Sequence, residues 1–218
     1  LYRQQLEMYE KRNTRIDDRI VSISQPHVRP IVRGKVSAST EFGAKAGISV
    51  EDGFVRSEII SWDEFNEGIT LKEAVEGYKD RNGFYPAVVQ ADKIYRNRDN
   101  REYCTKNNIR LSGPGLGRKT EEVKKEEQKQ AYLDSCERNQ VEGKLGEGKR
   151  KYSLAKIMTK LVGTSATTIV LSFIVMNLEK KLRLLLCYFI KYIETIIIGY
   201  ESNILFRFLN PESKYCFR

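Results

Sequence analysis

The chain has 218 residues, of which 31% are charged and 40% are hydrophobic, and its formal net charge is +9 at pH 7. This length is sufficient for one good-sized core, and the basic charge favours a polyanionic partner such as nucleic acid. The four cysteines are Cys104, Cys136, Cys187 and Cys216. Their spacing contains no CxxC pair, which excludes a recognisable zinc site and a disulfide framework. No apolar signal segment opens the chain, so the reducing cytosol is the expected compartment.

The first structural signal is a turn between two apolar runs. Asp52-Gly53 supplies positive backbone φ angles, and this predicts an antiparallel hairpin over about 41–60. The run LKEAVEGYKDR has apolar residues at helical spacing and predicts a helix near 70–81.

An alternation of strands and helices follows. The apolar run at 87–91 predicts a buried strand, whose carboxyl end displays Asp92. A helix over 98–107 and a short strand at IRLSG continue the pattern. This alternation predicts an α/β fold with a mixed sheet.

Residues 118–140 are rich in lysine and glutamate, which predicts a solvated helix with ion pairs one turn apart. If the helix continues, Arg138, Glu142 and Lys149 share one face, because they are four and seven residues apart. The glycines at 143, 146 and 148 each disfavour helix by roughly 1 kcal/mol relative to alanine. A helix here therefore needs tertiary support or breaks near Gly146, and we expect it to begin before Glu142 and to be irregular after it.

The segment from Gly143 to Arg150 matches the phosphate-loop pattern GxxxxGK. However, Arg150 stands where the pattern needs a serine or threonine to hold magnesium, and a charged segment precedes it instead of a buried strand. The sequence therefore predicts no nucleotide cofactor.

The last third of the chain is apolar. Leu161 to Leu178 contains no charge over eighteen residues, which just reaches the length of a spanning helix. Its first half is only weakly apolar, and the following stretch is interrupted by Arg183, Lys191 and Glu194. Both stretches are predicted to be helices buried against a sheet, with TIVLSFIVM packed inside, and no membrane association is expected.

Two strings carry a family resemblance. ADKIYRN at 91–97 and ERNQVEGKLGEGKRKY at 137–152 resemble the second-acid and third-acid strings of bacterial insertion-sequence transposases of the DDE type. Further strings resemble the same group, among them RIVSISQPHVRPIVRGK, EFGAKAGISVEDGFV, SWDEFNEG, IRLSGPGLGR and LSFIVMNLEKKLRLLL. The resemblance covers roughly residues 1–190.

The resemblance implies a ribonuclease H-like fold with a helical C-terminal half. The first of the family's three acids normally lies on a strand upstream of these strings, so we expect an incomplete fold and the C-terminal part of a longer protein. Two regions are predicted: 1–190 as the catalytic domain without its first strand, and 191–218 as an atypical tail of unknown role. Asp17 and Asp18 have charged surroundings and are poor candidates for the missing acid.

The resemblance also implies the chemistry. Asp92 and Glu142 would be catalytic metal ligands that help to hold a pair of Mg²⁺ ions, with Mn²⁺ as a substitute, roughly 3.5–4 Å apart. Carboxylates suit this task because Mg²⁺ prefers oxygen ligands. Lys93, Arg138, Lys149 and Arg150 are the expected contacts to DNA phosphates, at the insertion-sequence ends and the target.

Three functions from different classes stay open at this stage. The first is a transposase catalytic fragment, inactive alone. The second is a DNA-binding or regulatory remnant without turnover, and the third is a membrane-associated protein with apolar helices. The sequence also leaves the oligomeric state open, with a homodimer as one candidate.

Overall fold

The computed structural model describes residues 1–13, 16–32, 40–114, 120–198 and 215–217, and describes only the backbone at 32, 194, 196–198 and 215–217. The α-helices are α1 (Tyr2–Glu10), α2 (Leu71–Asn82), α3 (Arg98–Lys106), α4 (Glu121–Lys151) and α5 (Val162–Ile198). The strands are β1 (Pro30–Val32), β2 (Thr40–Phe42), β3 (Lys45–Glu51), β4 (Phe54–Ser61), β5 (Val88–Gln90), β6 (Arg110–Leu111) and β7 (Tyr215–Phe217). The α/β class is therefore confirmed.

The hairpin forms at the predicted turn. Asp52 and Gly53 have φ angles of 49° and 74° and join β3 to β4 in antiparallel register. Its strands begin at Lys45, because Thr40–Phe42 pairs with Pro30–Val32 in a separate two-stranded sheet. The tight turn and the apolar inner face together determine the register.

The main sheet has five strands in the order β4, β3, β7, β5, β6. Its central strand, β7, is antiparallel to β3 and parallel to β5, and β5 is parallel to β6. The sequence predicts a mixed sheet without the strand that carries the first acid, and the position beside β5, the strand before Asp92, is filled. In the described residues that position is occupied by Tyr215–Phe217, from the region predicted to be an atypical tail.

Helices cover both faces of the sheet, and each face has its own apolar cluster. On one face, α2 and α3 pack against β5 through Leu71, Ala74, Val75, Tyr78, Val89, Ala91, Tyr95, Cys104 and Ile109. On the other, α4 and α5 pack against the hairpin through Ile48, Val50, Val55, Val141, Ile169, Phe173 and Met176. Because side chains alternate along β5, Val89 lies on the first face of the sheet and Gln90 on the second.

Local capping residues bound both short helices of the first face. Helix α2 is capped by Gly83, whose φ of 80° is the left-handed conformation that glycine adopts readily. The N-cap of α3 is Asn97, whose side chain accepts a hydrogen bond from the backbone N–H of Asn100 at 2.8 Å.

Helix α4 does not break at its glycines, so the predicted irregularity after Glu142 is wrong. It continues to Lys151 because tertiary packing outweighs the low helix propensity of glycine. Val141 is fully buried against the hairpin, and Leu145 packs against the same cluster.

The three glycines should respond differently to alanine. A Cβ at Gly143 or Gly146 would meet no atom within 4 Å, whereas one at Gly148 would lie 2.5 Å from Leu154 Cδ1. We expect Gly143→Ala and Gly146→Ala each to stabilise the fold by up to about 1 kcal/mol in urea unfolding. Gly148→Ala should show no gain, because Leu154 must move; an equal gain at all three positions would contradict this packing.

The two apolar stretches near the C-terminus form the single helix α5, and only part of it is buried. Ile169, Phe173 and Met176 face the hairpin, while Leu171, Ile174 and Val175 are about half exposed. The expected burial of the second stretch is wrong: Leu182, Leu185 and Phe189 are exposed. Among the described residues, no helix combines the length and apolarity that crossing a membrane requires.

Asn177 joins α5 to the outer edge of the sheet. Its side chain accepts from the Val55 N–H at 2.8 Å and donates to the Val55 carbonyl at 2.7 Å. Lys180 donates to the carbonyl of Asp52 at the hairpin turn. The helix thereby protects an edge strand that would otherwise present unpaired backbone groups.

Candidate functional site

Helix α4 lies across the α/β sheet and contacts several strands in turn. Asp134 reaches β6 through Arg110, and Glu137 accepts a hydrogen bond from the buried amide of Gln90 on β5. Val141, one turn further, is buried against the hairpin. The helix therefore carries its polar side chains past the carboxyl end of β5, where strand-end residues are displayed.

Asp92 lies at that carboxyl end, two residues after the last residue of β5. It occupies the N-cap position of a 3₁₀ turn, Lys93–Tyr95, but its side chain makes no capping hydrogen bond. Instead, Asp92 Oδ1 lies 2.8 Å from Arg138 Nη1. Asp92 therefore does not act as a simple helix cap.

A buried network supports the turn that carries Asp92. Asn100 is 1% exposed and donates to the carbonyls of Gly68, at 2.6 Å, and Tyr95, at 2.8 Å. A Cβ at Gly68 would lie 2.7 Å from the carbonyl oxygen of Ile94. The sequence does not indicate Gly68 and Asn100, because an isolated glycine and an asparagine in the first turn of a helix carry no motif that points to this contact.

Arg138 links the strand end to α4, and Glu142 follows it on the same helix. Because four residues make about one turn, Glu142 lies on the face of α4 that carries Arg138. Asp92 and Arg138 are thus brought into contact, and the exposed Glu142 lies one turn further along. Residues 138, 142 and 149 share this face as predicted, since the helix is continuous across them.

Beside this pair lies a second charged contact that the sequence reasoning missed. The guanidinium of Arg110 donates two hydrogen bonds of 2.8 Å to the carboxylate of Asp134, which also accepts one from Gln130 at 2.9 Å. Burial alone would raise the pKa of Asp134, but the Arg110 and Gln130 hydrogen bonds outweigh it and hold the pKa below its ordinary value. Asp134 pairs with β6, 24 residues away, which no local pattern indicates.

The Arg110–Asp134 pair should make folding sensitive to acid. A carboxyl group whose pKa is lower in the folded state contributes stability above its unfolded pKa, near 4, and loses it as pH falls through the folded value. We expect Asp134→Asn to cost roughly 1–2 kcal/mol at pH 7, measured by urea unfolding, and to cost less at pH 3. A loss that is independent of pH would contradict the charged contact.

The other predicted cations are exposed. Lys93 follows Asp92 directly, and Lys149 and Arg150 lie in the last turn of α4. The segment that matches a phosphate-loop pattern is helical, so its backbone N–H groups are used within the helix and cannot encircle a phosphate.

Asp92 and Glu142 supply the oxygen donors that a hard divalent cation prefers. Their chemistry fits such an ion, but the number of donors is small: the described part of the chain contains no group of three or more metal-binding side chains. The neighbouring strand β7 carries Tyr215, Cys216 and Phe217, none of which is an acid.

Comparison with known proteins finds a similarity over part of the chain. A family model described as the transposase DDE domain matches residues 89–179, which includes Asp92, Arg138 and Glu142. No curated protein and no solved structure matches the chain. The matched region begins in β5 and ends in α5, and it is similar to the DDE domain of transposases, a domain that implies a ribonuclease H-like fold.

Proposed function

We propose that this chain is part of a DNA transposase, in which Asp92 and Glu142 are two of the acidic ligands of the catalytic metal ions. We also propose that the chain belongs to the transposase subgroup whose members carry the ADKxY and ERNxxEGKxGxGKRxY strings. The observation that carries it is the pairing of Asp92 with Arg138, one helical turn before Glu142, within the segment that matches the transposase domain.

The charges around these acids fit a phosphodiester substrate. Arg138 neutralises Asp92, while Lys149 on the same face of α4 and Arg150 beside it extend a positive surface. A duplex carries a phosphate every few ångströms, so such a surface orients its backbone near the acids. Mg²⁺ or Mn²⁺ bound there would activate an attacking oxygen and stabilise the leaving oxygen.

The residues of the chain have separate roles in this proposal. Gly68 and Asn100 hold the turn that carries Asp92, and they thereby position its carboxylate. Arg138 holds the Asp92 carboxylate toward α4. Lys93, Lys149 and Arg150 bind phosphates, and the substrates are the ends of an insertion sequence and its target DNA. The cytosol is the proposed compartment.

DNA binding tests the electrostatic part of this proposal. We expect the chain to bind duplex DNA weakly, with an affinity that falls steeply as salt rises, because each neutralised phosphate releases counterions. Lys149→Ala/Arg150→Ala should lower the affinity about 10- to 100-fold at 0.1 M salt and reduce the salt slope by about two. Fluorescence anisotropy over a salt series measures both quantities.

The matched control removes the same charge from the other end of α4. Lys124 and Lys125 lie near Glu121, and Lys124 forms an ion pair with it at 2.5 Å. The double variant Lys124→Ala/Lys125→Ala should therefore change the DNA affinity less than about threefold. Equal losses of DNA affinity in both variants would mean that binding depends on the net charge of the chain and not on this surface. An affinity indifferent to salt would refute DNA binding by this surface.

A DNA-binding remnant without turnover is the second candidate. The central position of β7, beside the strand that leads to Asp92, favours it, because β7 brings no carboxylate to the site. The two candidates share the binding surface and differ in metal-dependent cleavage.

A further inference from the structure

Helix α5 carries an exposed apolar seam on the side away from the sheet. Its members recur at alternating intervals of four and three residues: Leu171, Val175, Leu178, Leu182, Leu185, Phe189 and Tyr192. Each is between 49% and 66% exposed, although all are large and apolar. This spacing is the heptad repeat, in which two positions of every seven face a partner helix. We call these seven residues the α5 seam.

The seam lies opposite the face that packs on the hairpin. Successive residues of a helix are about 100° apart, which places Ile169, Phe173 and Met176 about half a turn from the seam. Asn177 and Lys180 anchor the same packed face to the hairpin. From Ile169 to Lys180 the domain therefore uses one side of α5 for its own core and leaves the heptad side open, whereas further along α5 off-seam side chains such as Leu186 and Ile190 are exposed as well.

We propose that the α5 seam is a self-association surface that pairs with α5 of a second copy of this chain. The first reason is its period: a core-facing helix needs a 3.6-residue stripe, whereas a strict 3.5-residue repeat over three heptads is typical of helices that wind around each other. From Ile169 to Lys180 the hairpin already occupies the other face, and the seam side chains are about half exposed or more along the whole repeat.

The size of the seam fits a stable dimer. From residue 171 to 192 the helix is about 32 Å long, at 1.5 Å per residue. Burying a large apolar side chain removes on the order of 100 Å² from water, so seven on each copy give about 1,400 Å² for the pair. Specific protein interfaces bury about 1,200–2,000 Å².

The flanking positions also tolerate pairing. The residues beside the seam are Ile174, Glu179, Lys181, Leu186, Tyr188 and Ile193, of which only Glu179 and Lys181 are charged. Pairing therefore brings no row of like charges together. Lys180, Arg183 and Lys191 lie off the seam, and their charges favour a protein partner over a lipid interior.

Sedimentation equilibrium of the full chain tests this proposal. We expect a mass twice the 25.3 kDa of one chain at micromolar concentration, with dissociation on dilution. Leu182→Lys/Leu185→Lys should weaken association about 100-fold or more, because two charges would be buried at the centre of the interface. The matched control Val170→Lys/Ile190→Lys adds the same charge at exposed apolar positions about a quarter turn to either side of the seam, and should stay dimeric.

The two double variants and the unmutated chain give results that distinguish the proposed dimer from a monomer or a lipid-binding protein. Thermal unfolding should show that both double variants remain folded, since all four side chains are at least 38% exposed. The dilution series of the unmutated chain tests association even if a variant misfolds. A monomer at all concentrations, equal dissociation of both variants, or flotation with phosphatidylcholine vesicles that the seam variant abolishes would overturn the proposal. DNA-binding failure would leave it unaffected.

Discussion

Val141→Asp is expected to prevent stable folding. Val141 is 0% exposed, and it packs in the cluster that joins α4 and α5 to the hairpin. A carboxyl group there has no cation to pair with in that apolar cluster, and burying it should cost roughly 4 kcal/mol or more. That loss is comparable with the total stability of many domains, about 5–15 kcal/mol. Circular dichroism and urea unfolding should show a largely unfolded chain.

The control for this substitution is Gln140→Asp, one residue earlier on the exposed side of α4. It adds the same charge in the same helix and should cost less than about 1 kcal/mol. If both variants unfolded equally, the effect would come from helix propensity instead of the buried contact. If Val141→Asp folded normally, the packing of α4 on the hairpin would be wrong.

The second prediction is that the chain does not cleave DNA. We expect the purified chain to leave supercoiled plasmid intact in Mg²⁺ or Mn²⁺, under conditions where it binds DNA. Asp92 and Glu142 supply two carboxylates, and strand β7, which pairs with β5, supplies no further carboxylate. Two metal ions held for in-line attack need more ligands than this pair supplies.

An Asp92→Ala variant makes this experiment decisive. Background nicking by a contaminating nuclease would persist in that variant, whereas nicking by this chain would disappear. Metal-dependent nicking that Asp92→Ala abolishes would show that the chain is a complete enzyme. Intact plasmid with both proteins, together with salt-sensitive binding, would favour the DNA-binding remnant.

Local signals were sufficient for the elements around the site. The Asp52-Gly53 turn, the helix before Gly83 and the apolar strand before Asp92 each depend on a few neighbouring residues, and all three form as predicted. The shared face of Arg138 and Glu142 could also be predicted, because it follows from helical periodicity alone.

The features that the sequence did not indicate depend on distant contacts. Helix α4 continues through three glycines because Val141 and Leu145 pack on the hairpin, some ninety residues away in sequence. The contact between Asp92 and Arg138 needs the same docking of α4 across the sheet. The exposed far side of α5 could not be distinguished from a buried one, because composition alone does not tell which apolar face meets the sheet.

The central position of β7 has a consequence for biosynthesis. Val89 pairs with Tyr215 and Ser49 pairs with Phe217, so the middle of the sheet joins residues more than a hundred positions apart. A ribosome must translate past residue 217 before this strand can enter the sheet, while the edges of β3 and β5 wait unpaired. Such non-local pairing slows folding, and open strand edges invite pairing between nascent chains. Productive folding should therefore be late, concentration-sensitive and dependent on chaperones.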